Sequence, residues 1–191
     1  MVRRLPAHGV TLCSLLMFGG LSQAHADAEN VGLGFAAEVD FEYGGDNIAT
    51  LEFEDGSGQH VKTGSGLTVA LGAHYRAEES PFSVRSTFGY KYQTTQASNA
   101  DIDVGRFVIE VVGNYLFEND WWLGAGLTHH TGIKFDGDDF VDNIDFKDAT
   151  GPTVELGWRW IALSYTNLDY KGKFGGEADA SSFGLTITSA F

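Results

Sequence analysis

The chain has 191 residues, 26 acidic against 12 basic side chains, a net charge of −14 and a single cysteine. So acidic a polypeptide argues against nucleic acid and against anionic lipid headgroups as partners. Its size suggests one domain. With 25 glycines, 3 prolines and 13% aromatic residues, the composition suits a closed sheet.

The first residues read as a leader. Arg3 and Arg4 give a basic start, Val10 to Leu21 is apolar, and Ala24-His25-Ala26 has the small-x-small form of a cleavage site. This is the layout of a secretory signal peptide over 1–26, and the apolar run is too short to cross a bilayer as a helix. Cysteine Cys13 lies inside that run, so a mature chain over 27–191 has no disulfide, thiolate metal site or cysteine nucleophile. Val10-Thr11-Leu12 ahead of Cys13 is a poor lipobox.

After the leader, apolar residues recur at every second position, as they do where successive side chains point to opposite faces of a strand. Val31, Leu33, Phe35, Ala37, Val39, Phe41 and Tyr43 alternate with Gly32, Gly34, Ala36, Glu38, Asp40 and Glu42. The Gly32-x-Gly34-x-x-Ala37 spacing mimics a dinucleotide fingerprint, but it falls inside a strand and fails the context that fingerprint needs. A polar connection over 44–66 follows. Within it Asp55-Gly56-Ser57-Gly58 predicts a tight turn, so the first two strands continue as a protruding ribbon bearing Leu51, Phe53 and Val61, with an edge open to a partner strand.

Seven more segments repeat the alternation. Leu67 to Tyr75 alternates with Thr68 to Arg76, and Phe82 to Tyr92 with Ser83 to Lys91. In the fourth, Phe107, Ile109, Val111, Tyr115 and Phe117 oppose Arg106, Glu110 and Asn114, with Val108 and Val112 on the polar side. Trp121 to Leu127 opposes Gly124 to His130, and Val154 to Trp160 opposes Thr153 to Arg159. Ile161, Leu163 and Tyr165 open the seventh, where Leu168 and Tyr170 shift parity and predict a bulge at Asn167. An eighth carries Phe183, Leu185, Ile187 and Phe191. Connections near 44–66, 94–104, 134–151 and 171–181 are long and polar; those near 77–81, 118–120 and 159–161 are short.

Large apolar residues on one face, glycine and charge on the other, and alternating long and short connections form the pattern of a lipid-out, polar-in membrane barrel. Aromatics gather in two interfacial girdles: Tyr75, Phe82, Tyr115, Phe117, Trp121, Trp158 and Trp160 by the short turns, and Tyr43, Tyr90, Tyr92, Phe107 and Tyr170 by the loops. The predicted fold is all-β, an eight-stranded antiparallel up-and-down transmembrane barrel. An even strand number puts both termini on the short-turn side, in the periplasm. A soluble β-sandwich or lipocalin-like barrel is the alternative.

The signal peptide, the eight alternating segments and the final Ser182–Phe191 strand together resemble the small eight-stranded outer-membrane barrels of the OmpA and OmpX type. The resemblance implies residence in the outer membrane among lipid and lipopolysaccharide. It also implies delivery by the barrel insertion machinery through a last strand ending in Phe191. Ser189 departs from the apolar residue that family prefers there.

Three sets of residues bear on function. Glu38, Asp40, Glu42, Glu110 and Glu155 face Arg76, Arg85, Lys91, Arg106 and Arg159 across the predicted interior. In so narrow a barrel, buried charges must pair or change protonation. That predicts a charged plug, with a narrow pore, or a proton-linked switch through His74 and His130, as alternatives. The third loop carries Asp136, Asp138, Asp139, Asp142, Asp145 and Asp148. Its first four carboxylates are hard ligands that could hold a divalent cation weakly, although the spacing is not that of an EF-hand. No other cofactor is expected. His129 and His130 raise an enzyme reading. The lipid A 3-O-deacylase family carries a His-x-Ser-Asn run near the outer surface, and the nearest stretch, Ser164-Tyr165-Thr166-Asn167, shares only its asparagine. The sequence therefore points away from catalysis and toward a structural or surface-binding role, with a small-solute pore or a lipid-modifying enzyme as alternatives.

Overall fold

The computed structural model describes residues 31–52, 58–97, 100–137 and 143–190. The predicted leader 1–26, Phe53, Asp55–Ser57 and Phe191 lie outside them. Eight antiparallel strands close on themselves: β1 Gly32–Tyr43, β2 Gly66–Arg76, β3 Phe82–Ala97, β4 Ala100–Leu116, β5 Trp121–Asp136, β6 Ala149–Trp158, β7 Ile161–Thr166 and β8 Ser182–Ala190. Each pairs with its sequence neighbour. β1 closes the ring by pairing β2 on one edge, from Gly32↔Arg76 to Glu42↔Gly66, and β8 on the other, from Ala36↔Ala190 to Tyr43↔Phe183. Every stave thus has two hydrogen-bonded neighbours, and the barrel leaves no open edge.

The outer face is apolar. Leu33, Phe35 and Phe183 are more than 70% exposed, and Val69, Leu71, Phe88, Val111, Leu127, Val154 and Leu163 continue the band. A belt of large exposed hydrocarbon around a ring of satisfied backbone is suited to lipid and costly in water. Aromatic pairs brace its rims. Phe82 meets Tyr115 edge-on, Tyr115 meets Phe117 likewise, and Tyr90 and Phe88 both pack on Phe107.

At one end the connections are short and include the 3-10 turn Glu118–Asp120. Glu79, Asn119, Asp120 and Arg159 all take positive φ there. These tight reversals hold left-handed backbone without glycine, a conformation that costs an L-residue about 1–2 kcal/mol.

The other end is built up. Asn47–Glu52 pairs with Gly58–Lys62, Asp169–Lys171 with Glu177–Asp179, and Ile144–Asp145 with β5. The ribbon predicted from the Asp55–Gly58 turn is present, but Val61 is fully buried and faces inward. The connection predicted over 94–104 is largely strand, since β3 runs to Ala97 and β4 starts at Ala100.

The predicted bulge at Asn167 is not where the register shifts. β7 keeps its even residues inward from Ala162 through Thr166, and the chain carries Leu168 and Tyr170 inward in the same phase. The shift lies between β4 and β5, where Gly105 faces Lys134 but Phe107 faces Thr131. The extra residue sits on β5 beside Gly132, whose φ of 61° suits a glycine at a bulge. Beyond it Ile133 and Phe135 turn inward. With Val61, Ile102, Val104, Phe146, Ala149, Leu168, Tyr170 and Ala180 they form an apolar cluster filling the long-loop end.

The barrel interior as candidate functional site

The interior is layered along the barrel axis. At the short-turn end Trp122 points inward from β5, and its Nε1 donates to the Arg159 carbonyl at 3.0 Å. Its ring covers Gly157, where an added Cβ would collide with the indole. A recess of about 420 Å³ opens outside this ring, bordered by Arg76, Pro81, Phe117, Asp120 and Arg159.

Above Trp122 lies Arg85 on β3. Its Nε is 2.8 Å from Glu38 of β1, and its Nη2 is 3.1 Å from Glu110 of β4 and 2.8 Å from Glu155 of β6. One guanidinium therefore ties four staves across the lumen. The indole of Trp122 lies under it, 5.9 Å from the guanidinium carbon. Glu110 also accepts from the Thr128 hydroxyl at 2.8 Å. Charged groups this far from water require such partners.

Next comes a small cavity of about 20 Å³ bordered by Asp40, Thr68 and Thr186 and by the Arg85 carboxylates. Above it Lys91 Nζ reaches Glu42 at 2.7 Å and the Gly64 carbonyl at 2.7 Å, while the Ser182 hydroxyl donates to Glu42 at 2.6 Å. Arg106 Nη2 donates to the Ser65 carbonyl at 2.9 Å. Two lumen cations thus hold the backbone of the turn Thr63–Ser65, which lies buried inside the mouth. The Thr63 hydroxyl completes the connection by donating to the Asp179 carbonyl.

The apolar cluster forms the last layer. Tyr170 closes over Arg106, whose guanidinium carbon is 5.8 Å from the ring, and its hydroxyl hydrogen-bonds His130 Nδ1. Phe146 packs against the same ring. Backbone bonds Asp46 to Asp179, Ala180 to Leu168, Lys147 to Lys171 and Lys173 to Asp145 interlock the loops. At the long-loop end, hydrogen bonds from Ser181 hold the Asp179 carboxyl below the usual carboxylate range. A hydrogen bond to Glu177 raises the Lys171 ammonium.

Eight of the ten predicted lumen charges face this interior. Arg159 does not. It sits in the two-residue turn after β6, where its positive φ breaks the strand alternation, and it pairs with Asp120 at 3.0 Å, half exposed. Arg76 stands at the same rim and donates to the Ser80 carbonyl at 2.9 Å. Five acids therefore meet three buried bases, not five. Tyr170 leaves the predicted outer girdle for the inside, where it is buried in the apolar cluster of the long-loop end; burying so large a ring is favourable wherever the outer face meets water. Val108 and Val112, the apolar exceptions on the predicted polar face, are buried among the lumen side chains, where they fill space that the charged residues leave.

The third-loop carboxylates are divided. Asp138, Asp139 and Asp142 lie outside the described residues, and Asp136 ends β5 exposed. Asp145 pairs with Lys173, and Asp148 accepts from Thr131. Among the described residues no three His, Cys, Asp or Glu side chains are grouped to hold a metal ion. His129 Nδ1 bonds the Thr150 hydroxyl, and Ser164 is reached by the Thr186 hydroxyl.

Several of these parts went unseen in the sequence: Trp122, the inward turn Thr63–Ser65 and the apolar mouth. One signal was available. Ile102 and Val104 share the inward parity of Arg106, so two apolar residues in succession on the polar face mark the apolar mouth.

No family model matches the chain, and no curated protein matches it. Among solved structures it is similar to Ail, the attachment invasion locus protein of Yersinia pestis. The identity is 13%, over 84% of this chain and 99% of that one, with a TM-score of 0.47. It is likewise similar to that protein in complex with the heparin analogue sucrose octasulfate, at 11% identity over 83% and 97% of the two chains and a TM-score of 0.47. The chain is a small, closed eight-stranded antiparallel barrel with an apolar outer belt.

Proposed function

We propose that this protein is a closed barrel of the outer membrane whose role is structural or interactive, carried by its long loops and not by transport or catalysis. The observation that carries the reading is Arg85, joined to Glu38, Glu110 and Glu155 on three other staves. A solute would have to displace these ion pairs in a low-dielectric interior. Removing one partner of such a buried pair typically costs about 3–5 kcal/mol. The apolar cluster adds a second barrier at the mouth.

The orientation follows from the same reading. Leader cleavage after Ala26 delivers the chain to the periplasm. The insertion machinery engages the last strand and its terminal Phe191, and both termini stay periplasmic. The long loops then face outward, among lipopolysaccharide. Their polar, acidic character keeps them solvated, while lipid contacts fall to the apolar belt.

Planar bilayer recording tests the closed lumen: purified protein should give no steady unitary conductance, and a stable open level would reject the proposal. Lipid A from cells with and without the gene should give identical mass spectra; a changed acyl pattern would reinstate the enzyme reading.

A further inference from the structure

We infer that the lumen cavity beneath Lys91 binds one dehydrated monovalent cation of sodium size, held by the Asp40 carboxylate and the Thr68 hydroxyl. The inference rests on the closed lumen proposed above. Among the described residues the cavity is bordered by five carboxyl side chains, Glu38, Asp40, Glu42, Glu110 and Glu155, and by no lysine or arginine. Arg85 is committed to Glu38, Glu110 and Glu155. Lys91, the next cation up, is committed to Glu42 and to the Gly64 carbonyl. Among the described residues Asp40 has no ion-pair partner, although it is only 9% exposed. Buried carboxylates in excess of buried cations are costly unless a cation joins them or they take up a proton, and the two outcomes differ in whether stability responds to sodium.

Independent of that charge excess is an orphaned hydroxyl. Thr68 is directly opposite Asp40 in the β1–β2 register, and Thr186 is opposite on the β1–β8 side. Thr186 bonds Asp40. Thr68 Oγ1 is buried, borders the cavity and has no hydrogen-bond partner. A carboxylate and a free hydroxyl oxygen facing one void are hard ligands for a hard cation. The void, about 20 Å³, suits a single water-sized particle, since about 10–15 Å³ is enough for one. With Glu38, Glu110 and Glu155 held by Arg85 and Glu42 by Lys91, Asp40 is, among the described residues, the one carboxylate left to the void, which favours a singly charged ion. A divalent one asks for more anionic ligands and gives up its water reluctantly.

The experiment uses the full mature barrel in detergent micelles. Its unfolding equilibrium is measured in sodium chloride and in tetramethylammonium chloride at one ionic strength, because tetramethylammonium is too large for the void. Sodium should shift the equilibrium toward the folded barrel in a saturable way, about tenfold when sodium reaches ten times its dissociation constant. Asp40→Asn should abolish the difference between the salts, and Thr68→Val should move saturation to higher sodium. Should Asp40→Asn fail to fold, sodium-23 relaxation on the unaltered barrel, with and without the Thr68→Val change, supplies the same readout. Coincident curves in the two salts, or an unchanged sodium response in Asp40→Asn, overturn the site and leave the closed lumen standing. A steady bilayer conductance overturns the closed lumen, and the site with it.

Discussion

The Tyr170 hydroxyl lies within hydrogen-bonding reach of His130 Nδ1, joining the connection after β7 to the wall of β5 across the mouth of the barrel. Tyr170 is 1% exposed and also shields Arg106 from water. One side chain therefore links the apolar cluster to the charged layers beneath it.

Replacing Tyr170 by Phe keeps the ring and removes the hydroxyl, leaving a buried imidazole nitrogen without a partner. The expected loss is about 1–3 kcal/mol of stability, read from urea unfolding of the barrel in lipid vesicles. Tyr170→Ala should cost more, about 3–5 kcal/mol by analogy with other large aromatic deletions. It should also speed amide exchange in Leu168 and Ala180, which pack beside it. Equal exchange rates in the two variants would show that Tyr170 does not hold the loops down.

The Arg85 centre makes a compensation test. Arg85→Met leaves Glu38, Glu110 and Glu155 without their shared cation and should lower stability by about 3–5 kcal/mol, as for other broken buried pairs. Adding Glu38→Gln, Glu110→Gln and Glu155→Gln removes the stranded charge and should recover most of the loss. A quadruple variant as unstable as Arg85→Met would mean that Arg85 acts through packing on Trp122 and not through charge.

The contrasting pair is Asp120 with Arg159. At 3.0 Å its geometry matches the lumen pairs, yet both side chains are about half exposed. Exposed pairs contribute about 0–1 kcal/mol, so Asp120→Asn should change stability by less than about 1 kcal/mol. Gly157→Ala, nearby, should be the more damaging change. Its methyl would enter the Trp122 ring and should cost about 1–3 kcal/mol, as overpacking does. The tryptophan emission of the folded barrel should shift with it. An unchanged spectrum and stability would contradict the contact between Gly157 and Trp122.

How far the sequence could be read depended on which solvent each segment meets. Within the lipid, the alternation in β1 from Leu33 to Phe41 and its counterparts is decisive, because hydrocarbon outside and polar groups inside force one parity. That rule inverts above the membrane. Leu168 and Tyr170 therefore looked like a parity slip when their strand phase had not changed, and Val61 looked like an exposed ribbon residue when it is buried. The true slip, at Gly132 in β5, was masked because Ile133 and Phe135 restore an apolar pattern on the opposite face. Arg159 was misplaced because a two-residue turn keeps the spacing of a strand while leaving its alternation. Long-range partners were the least legible. Nothing in the spacing of Lys91 and Arg106 shows that they hold the carbonyls of Gly64 and Ser65.

Two exposed apolar residues separate lipid from water directly. Leu71 is 68% exposed on the outer wall of β2, paired with Phe88 on one side and Ala37 on the other. Phe174 is fully exposed beside the Asp169–Lys171 and Glu177–Asp179 hairpin. By accessible area alone, arginine at either position should be harmless. If the wall around Leu71 lies in hydrocarbon, Leu71→Arg places a guanidinium in lipid and should cost up to about 2–4 kcal/mol, falling toward zero near an interface. Phe174→Arg should change stability by less than about 0.5 kcal/mol, as surface substitutions do. Both are measured by reversible unfolding from vesicles, with the heat-dependent gel shift confirming that each variant folds. Equal, negligible costs at the two positions would mean that the apolar belt does not face lipid, and the membrane assignment would fall with it.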